Sequence, residues 1–235
     1  MNVIQITGYI LMLSVLSGCS TETLNDQIST ENVVRVETEP TMRQEKQDIG
    51  SIKNTIGLVV LSDHYGKDDF VRLYNADGSL WYEFTYYYDD SDGKFEYEKE
   101  DFAPFAFHQD YFILALKCVG EDDKRYEVIV NEDTGLKKFI RKNDRTVKLQ
   151  TWEQHIKGLF AVDFNKEVNP LRDKPEGRIK IIEIPEDTIF HPVEIRGDWL
   201  KVRLDSPEVV KKNTEFAWIK WKENDVIIIE LFYIS

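Results

Sequence analysis

The chain has 235 residues and a formal charge of −13, with 42% apolar and 12% aromatic side chains. That apolar share supports a real hydrophobic core and excludes a chain that is disordered throughout. The charge repels nucleic acid and anionic lipid headgroups, which removes nucleic-acid binding from the function classes to weigh.

The first nineteen residues carry no charged side chain and are mostly apolar from Val3 to Leu16. A bilayer-spanning helix needs about 20 predominantly apolar residues. This run is shorter and passes at once into Ser17-Gly18, the pattern of a secretory signal. An ordinary N-terminal strand or helix is the alternative reading. Leu16-Ser17-Gly18-Cys19 resembles the lipobox of bacterial lipoproteins, although the Lys or Arg usual near the start of such signals is missing. The resemblance implies cleavage before Cys19 and lipid on its sulfur. It also implies a bacterial membrane location facing the periplasm or the cell surface. Each buried methylene would add about 0.8 kcal/mol to anchorage. Cys118 then has no partner in the chain, so no disulfide framework is expected.

Residues 20–50 are rich in Ser, Thr, Glu, Asn and Gln and contain no aromatic residue. Such a segment cannot bury enough apolar area to offset its ordering entropy, so a flexible tether is expected. Val33-Val34-Arg35-Val36 has strand character without a neighbour to pair with.

Residues 51–165 read as a β-rich domain. Strands are expected at 57–61, 70–74, 80–88 and 111–118. Leu80, Tyr82, Phe84 and Tyr86 mark one face of the third. Asn75-Ala76-Asp77-Gly78 has turn chemistry. A hairpin is expected from 126–130 and 136–140 around Asn131-Glu132-Asp133-Thr134-Gly135. Thr151-Trp152-Glu153-Gln154 fits a capping box, and Trp152, Ile156, Leu159 and Phe160 follow at helical spacing. One short helix over 152–160 follows from that pattern.

Residues 166–235 carry five short strand candidates, at 179–184, 191–196, 199–204, 216–221 and 227–233, which suggests a small barrel. Leu171-Arg172 with Pro175, the run from Val193 to Leu204 containing Gly197-Asp198-Trp199-Leu200-Lys201-Val202, and Ala217-Trp218-Ile219-Lys220-Trp221 together resemble a bacterial SH3 domain. Ala217 stands where Gly is usual, Asp205-Ser206-Pro207-Glu208 is an insertion, and an extra apolar strand closes the chain. The resemblance implies an SH3-like β-barrel that recognises peptidoglycan peptides or protein segments. The fold expected overall is mainly β: an N-terminal β-rich domain with one short helix, then the barrel.

Few residues invite a chemical reading. In Asp89-Asp90-Ser91-Asp92-Gly93-Lys94, Gly93 at the sixth position of a calcium loop puts Tyr88 first and Lys99 twelfth. Neither supplies the required carboxylate, so an acidic turn is expected. His64, His108, His155 and His191 lie far apart in sequence, without metal-ligand spacing. No metal or other cofactor is expected. Cys118 sits in an apolar run and reads as a small core residue, although bacterial SH3 domains often accompany cysteine peptidases. With 43 acids, no carboxylate pair can be singled out for glycoside hydrolysis. No catalytic residue is assigned.

Two surfaces are candidates for binding. Tyr86-Tyr87-Tyr88 would make a sugar- or peptide-binding platform, or simply pack a strand. Along 199–204, Leu200, Val202 and Leu204 form the core face, which sends Trp199, Lys201 and Arg203 outward beside Trp218. That places an aromatic, positively charged groove on an acidic protein; alternatively, both tryptophans close the barrel. The expected function is a lipid-anchored, non-catalytic cell-envelope protein. It would bind a peptide, protein or peptidoglycan component through its barrel or its aromatic β-surface. The alternatives are an envelope hydrolase with its active site in residues 51–165 and a scaffold subunit of an envelope assembly.

Overall fold

The computed structural model describes residues 50–87, 99–206 and 215–234. Cys19, residues 20–49 of the tether, Tyr88 with the acidic turn after it, and Pro207-Glu208 of the insertion lie outside the described residues. The fold is mainly β and antiparallel, and the described residues fall in one compact unit, Gln44–Ser235.

The first sheet contains β1 (Gly57–Leu61), β2 (Val71–Tyr74), β3 (Leu80–Phe84), β4 (Ala106–His108), β5 (Ile113–Glu121), β6 (Arg125–Asn131), β7 (Leu136–Arg141) and β8 (Val147–Gln150). Its order is β3-β2-β7-β6-β5-β1-β8, with β4 paired to β5. The unbroken apolar run Leu58-Val59-Val60 makes sense in this position. Val59 enters an aromatic core on one face, while Leu58 and Val60 enter a second core on the other. A strand buried on both faces needs no polar alternation. β5 divides the same way, sending Leu114, Leu116 and Cys118 to the aromatic core and Ala115 to the second.

Helix α1 (Trp152–Lys157) begins with the expected capping box. Thr151 Oγ1 accepts from Gln154 N at 3.2 Å, and Gln154 Oε1 accepts from Thr151 N at 2.9 Å. The helix ends at Lys157, three residues before the expected end at Phe160, with Gly158 as its C-cap, and Leu159 still packs into the second core.

The second sheet takes β9 (Ala161–Asp163), β10 (Ile189–Arg196), β11 (Trp199–Asp205), β12 (Glu215–Lys220) and β15 (Glu230–Phe232) in the order β12-β11-β10-β9-β15. A two-stranded ribbon of β13 (Lys222–Glu223) and β14 (Val226–Ile227) precedes β15. β9 lies before residue 166, so this sheet draws on chain from both sides of that position. Where the SH3 resemblance implies a barrel, the described ladder runs open from β12 to β15.

The strand expected at 179–184 is not formed. Arg172 occupies the edge of β12 instead, exchanging two 2.9 Å backbone hydrogen bonds with Trp218. Residues beyond Ile179 are left without a ladder, and Ile181 is 97% exposed. The second core lies between the two sheets. It joins Leu58, Val60 and Ala115 to Trp152 and Ile156 of α1, and to Phe190, Leu200, Val202, Leu204, Ile219 and Trp221.

Candidate functional site

The second-sheet residues expected to bind are brought together, but not as an open groove. Leu200, Val202 and Leu204 do form the core face. Cross-strand register places Trp199 opposite Lys220, Lys201 opposite Trp218 and Arg203 opposite Phe216, so these side chains share the other face. The rings are nevertheless covered: Trp199 is 8% exposed and Trp218 5%. The Arg172 guanidinium lies 5.5 Å from the Trp199 ring centre, and that of Arg196 lies 4.9 Å from the Trp218 ring centre. Lys201 Nζ lies 4.9 Å over Phe216, and Arg203 reaches Asp205 at 3.3 Å. The outward direction of Trp199 was legible from alternation; its roof of cations was not, because Arg172 comes from a distant segment.

Cys118 is fully buried, its Sγ 3.4 Å from Gly120 O, and burial pushes its thiol up to about 11. A thiol held in that form is a poor nucleophile at neutral pH. His191 is engaged by Phe160 O at 2.7 Å through Nδ1. Among the described residues, no group of three or more His, Cys, Asp and Glu side chains is arranged to hold a metal ion.

Beside the first sheet, exposed aromatic rings meet one another. Tyr87 is 41% exposed, Phe112 42% and Tyr111 56%. Tyr87 and Phe112 meet edge to face with ring centres 5.0 Å apart and planes at 63°. Tyr86, 2% exposed, stacks on Phe112 at 5.4 Å and also meets Phe84 and Phe107. Tyr65 lies parallel to Tyr87 at 6.1 Å.

Polar atoms lock this support. The Tyr65 hydroxyl is 3.0 Å from Asp69 O and accepts from Tyr86 N at 2.9 Å, and the Tyr86 hydroxyl donates to Ile113 O at 3.0 Å. The exposed rings therefore rest on a fixed base.

Phe112 has a second distinction. It ends a 3-10 turn (Gln109–Tyr111) with φ 57° and ψ 38°, the left-handed region. For a bulky side chain that conformation costs roughly 1–2 kcal/mol. The strand expected from residue 111 starts instead at Ile113, so Phe112 was missed as a surface residue. Nothing in its sequence neighbourhood signals a left-handed turn, which Gly or Asn would have done.

No protein-family model, curated protein or solved structure matches this chain. The site is therefore read from its own chemistry. Two rings meeting at an angle on a fixed aromatic base offer flat apolar faces to a ligand, and tyrosine adds a polar tip. The arrangement presents contact area at little cost in side-chain freedom.

Proposed function

We propose that this protein is a non-catalytic, lipid-anchored component of the bacterial cell envelope that binds a peptidoglycan component through the Tyr87–Phe112 surface. The carrying observation is the exposed ring pair on buried support, with Phe112 held in a costly backbone conformation. Strain of that kind collects where a side chain must be presented in one direction. The covered tryptophans of the second sheet make this surface the better candidate of the two. The lipobox resemblance at Cys19 supplies the anchor in this reading, and residues 20–50 supply the reach.

The test is cosedimentation of the mature protein with purified cell-wall sacculi. Tyr87→Ala with Phe112→Ala should weaken binding at least ~10-fold, as removal of a central aromatic anchor does. Both rings are part-exposed, so the melting temperature should move little. Undiminished sedimentation of the double variant removes this surface from the function. In the same experiment Cys19→Ala should lose labelled fatty acid and leave the membrane fraction; wild-type labelling would remove the anchor.

A further inference from the structure

Three arginines share one face of the first sheet. Register pairs Arg125 of β6 with Arg141 of β7, and Tyr74 of β2 with Phe139 of β7. Arg72 lies two residues before Tyr74 on the same face of β2, beyond the one pair that joins β2 to β7, and is paired in turn with Glu83 of β3. Residues directly opposite one another share a face, and neighbouring strands lie about 4.8 Å apart. Arg125 and Arg141 therefore set like charges directly opposite each other, an arrangement that destabilises a sheet, and Arg72 adds a third positive charge on the same face. They do so on a chain whose formal charge is −13.

Arg72 and Arg125 are neutralised and Arg141 is not. Arg72 forms an ion pair with Glu83, and Arg125 meets Asp122 at 3.1 Å. Arg141 has neither a carboxylate within ion-pair distance nor a hydrogen-bond acceptor among the described residues. Its guanidinium instead lies over the Tyr74 ring at 4.3 Å, a contact that does not use its donors.

Arg141 and Arg72 line a cleft of about 290 Å³ with Arg145 and Asn143. The acids of the same cleft are mostly committed. Asp69 holds Arg145 at 2.7 Å and the Gly66 N–H, while Asp144 takes the Thr146 N–H and hydroxyl, which leaves Asp68.

We propose that this cleft binds a phosphate group, with the Arg141 fork as its centre and Arg72 and Arg145 flanking it. Guanidinium donors match phosphate oxygens in pairs, and a bound anion removes the like-charge repulsion between Arg125 and Arg141. The phosphate belongs either to a soluble compound or to a lipid headgroup; both present the same oxygens. This site is independent of the aromatic surface.

The probe is inorganic phosphate against chloride at equal ionic strength, with thermal unfolding of the full chain as readout. Phosphate should raise the wild-type melting temperature. Arg141→Gln should abolish that rise and weaken phosphate at least ~10-fold by calorimetry. Without phosphate the same variant should melt roughly 1–3 °C higher, because the repulsion is gone. Arg141→Lys, which keeps the charge and loses the fork, should respond less than wild type.

A flotation arm uses vesicles with and without phosphatidylglycerol and the full chain carrying Cys19→Ala, so that acyl groups do not mask headgroup binding. Arg141-dependent flotation with phosphatidylglycerol assigns the phosphate to a headgroup; a response to free phosphate alone assigns it to a soluble compound. A wild type indifferent to phosphate in both arms overturns the proposal. So does an Arg141→Gln or Arg141→Lys variant that responds as wild type does.

Discussion

His155 is a residue whose ionisation the fold opposes. It is 8% exposed, with Nε2 3.0 Å from the Tyr233 hydroxyl and Nδ1 3.3 Å from Gln150 Oε1. Burial lowers its pKa from 6.5 to about 4. The folded value lies below the unfolded one, so as pH falls through 6.5 the unfolded chain takes a proton that the folded chain refuses. Stability therefore drops from about pH 6.5 to about 4 and then levels off, by on the order of 3 kcal/mol. Urea unfolding of wild type and His155→Gln at pH 7 and pH 4.5 checks this; a difference between the two proteins that does not change with pH would sink it. Glu132 has the opposite sign. Burial raises its carboxyl above the usual range despite Lys117 Nζ at 2.7 Å, so its contribution to stability is present at low pH and falls as pH rises past the usual carboxylate range. Neither group stands out in sequence, since burial of a lone His or Glu depends on what folds over it.

At the scale of elements, the sequence makes legible the features that residues close in the chain build. The hairpin of β6 and β7 and the capping box of α1 each involve residues a few positions apart, and both formed as expected. Thr151→Ala should cost about 1 kcal/mol, because the Gln154 N–H loses its cap, and Thr151→Asp should retain most of it. Chemical denaturation of the two variants tests the cap; equal losses would show that the threonine acts by packing. The strands β4, β8 and β9 carry no sequence pattern that predicts them, and the stretch 179–184 has a strand pattern but forms no strand. Short strands are defined by a partner, and here the partner lies far along the chain. Ile179 and Ile181 have strand propensity, but the β12 edge they would need is already taken by Arg172.

For the molecule as a whole, the decisive feature is the core between the sheets. Ile156 is fully buried there, among side chains from both sheets and from α1. Ile156→Ala should lower stability by about 2–5 kcal/mol, the usual cost of such a cavity. Because the core is shared, residues 50–234 should still unfold in one transition. Tryptophan fluorescence follows Trp81 in the first sheet and Trp199 and Trp218 in the second. Two separated transitions in the variant or in wild type would mean that the sheets are stable independently.

What the sequence determined by itself was the class of structure and its local punctuation. Alternation, turn residues and a helix cap are set within a few residues of one another, so mainly-β architecture, one hairpin, one helix and the Leu200–Val202–Leu204 core face were all legible. The tertiary structure decided which exposed-looking groups stay exposed. It roofed Trp199 and Trp218 with Arg172 and Arg196, raised Phe112 to the surface through a left-handed turn, and gathered Arg72, Arg141 and Arg125 on one face. The roof and the arginine cluster depend on register or contact between segments that the chain brings together only on folding, and the turn at Phe112 uses a residue type that carries no signal for a left-handed conformation.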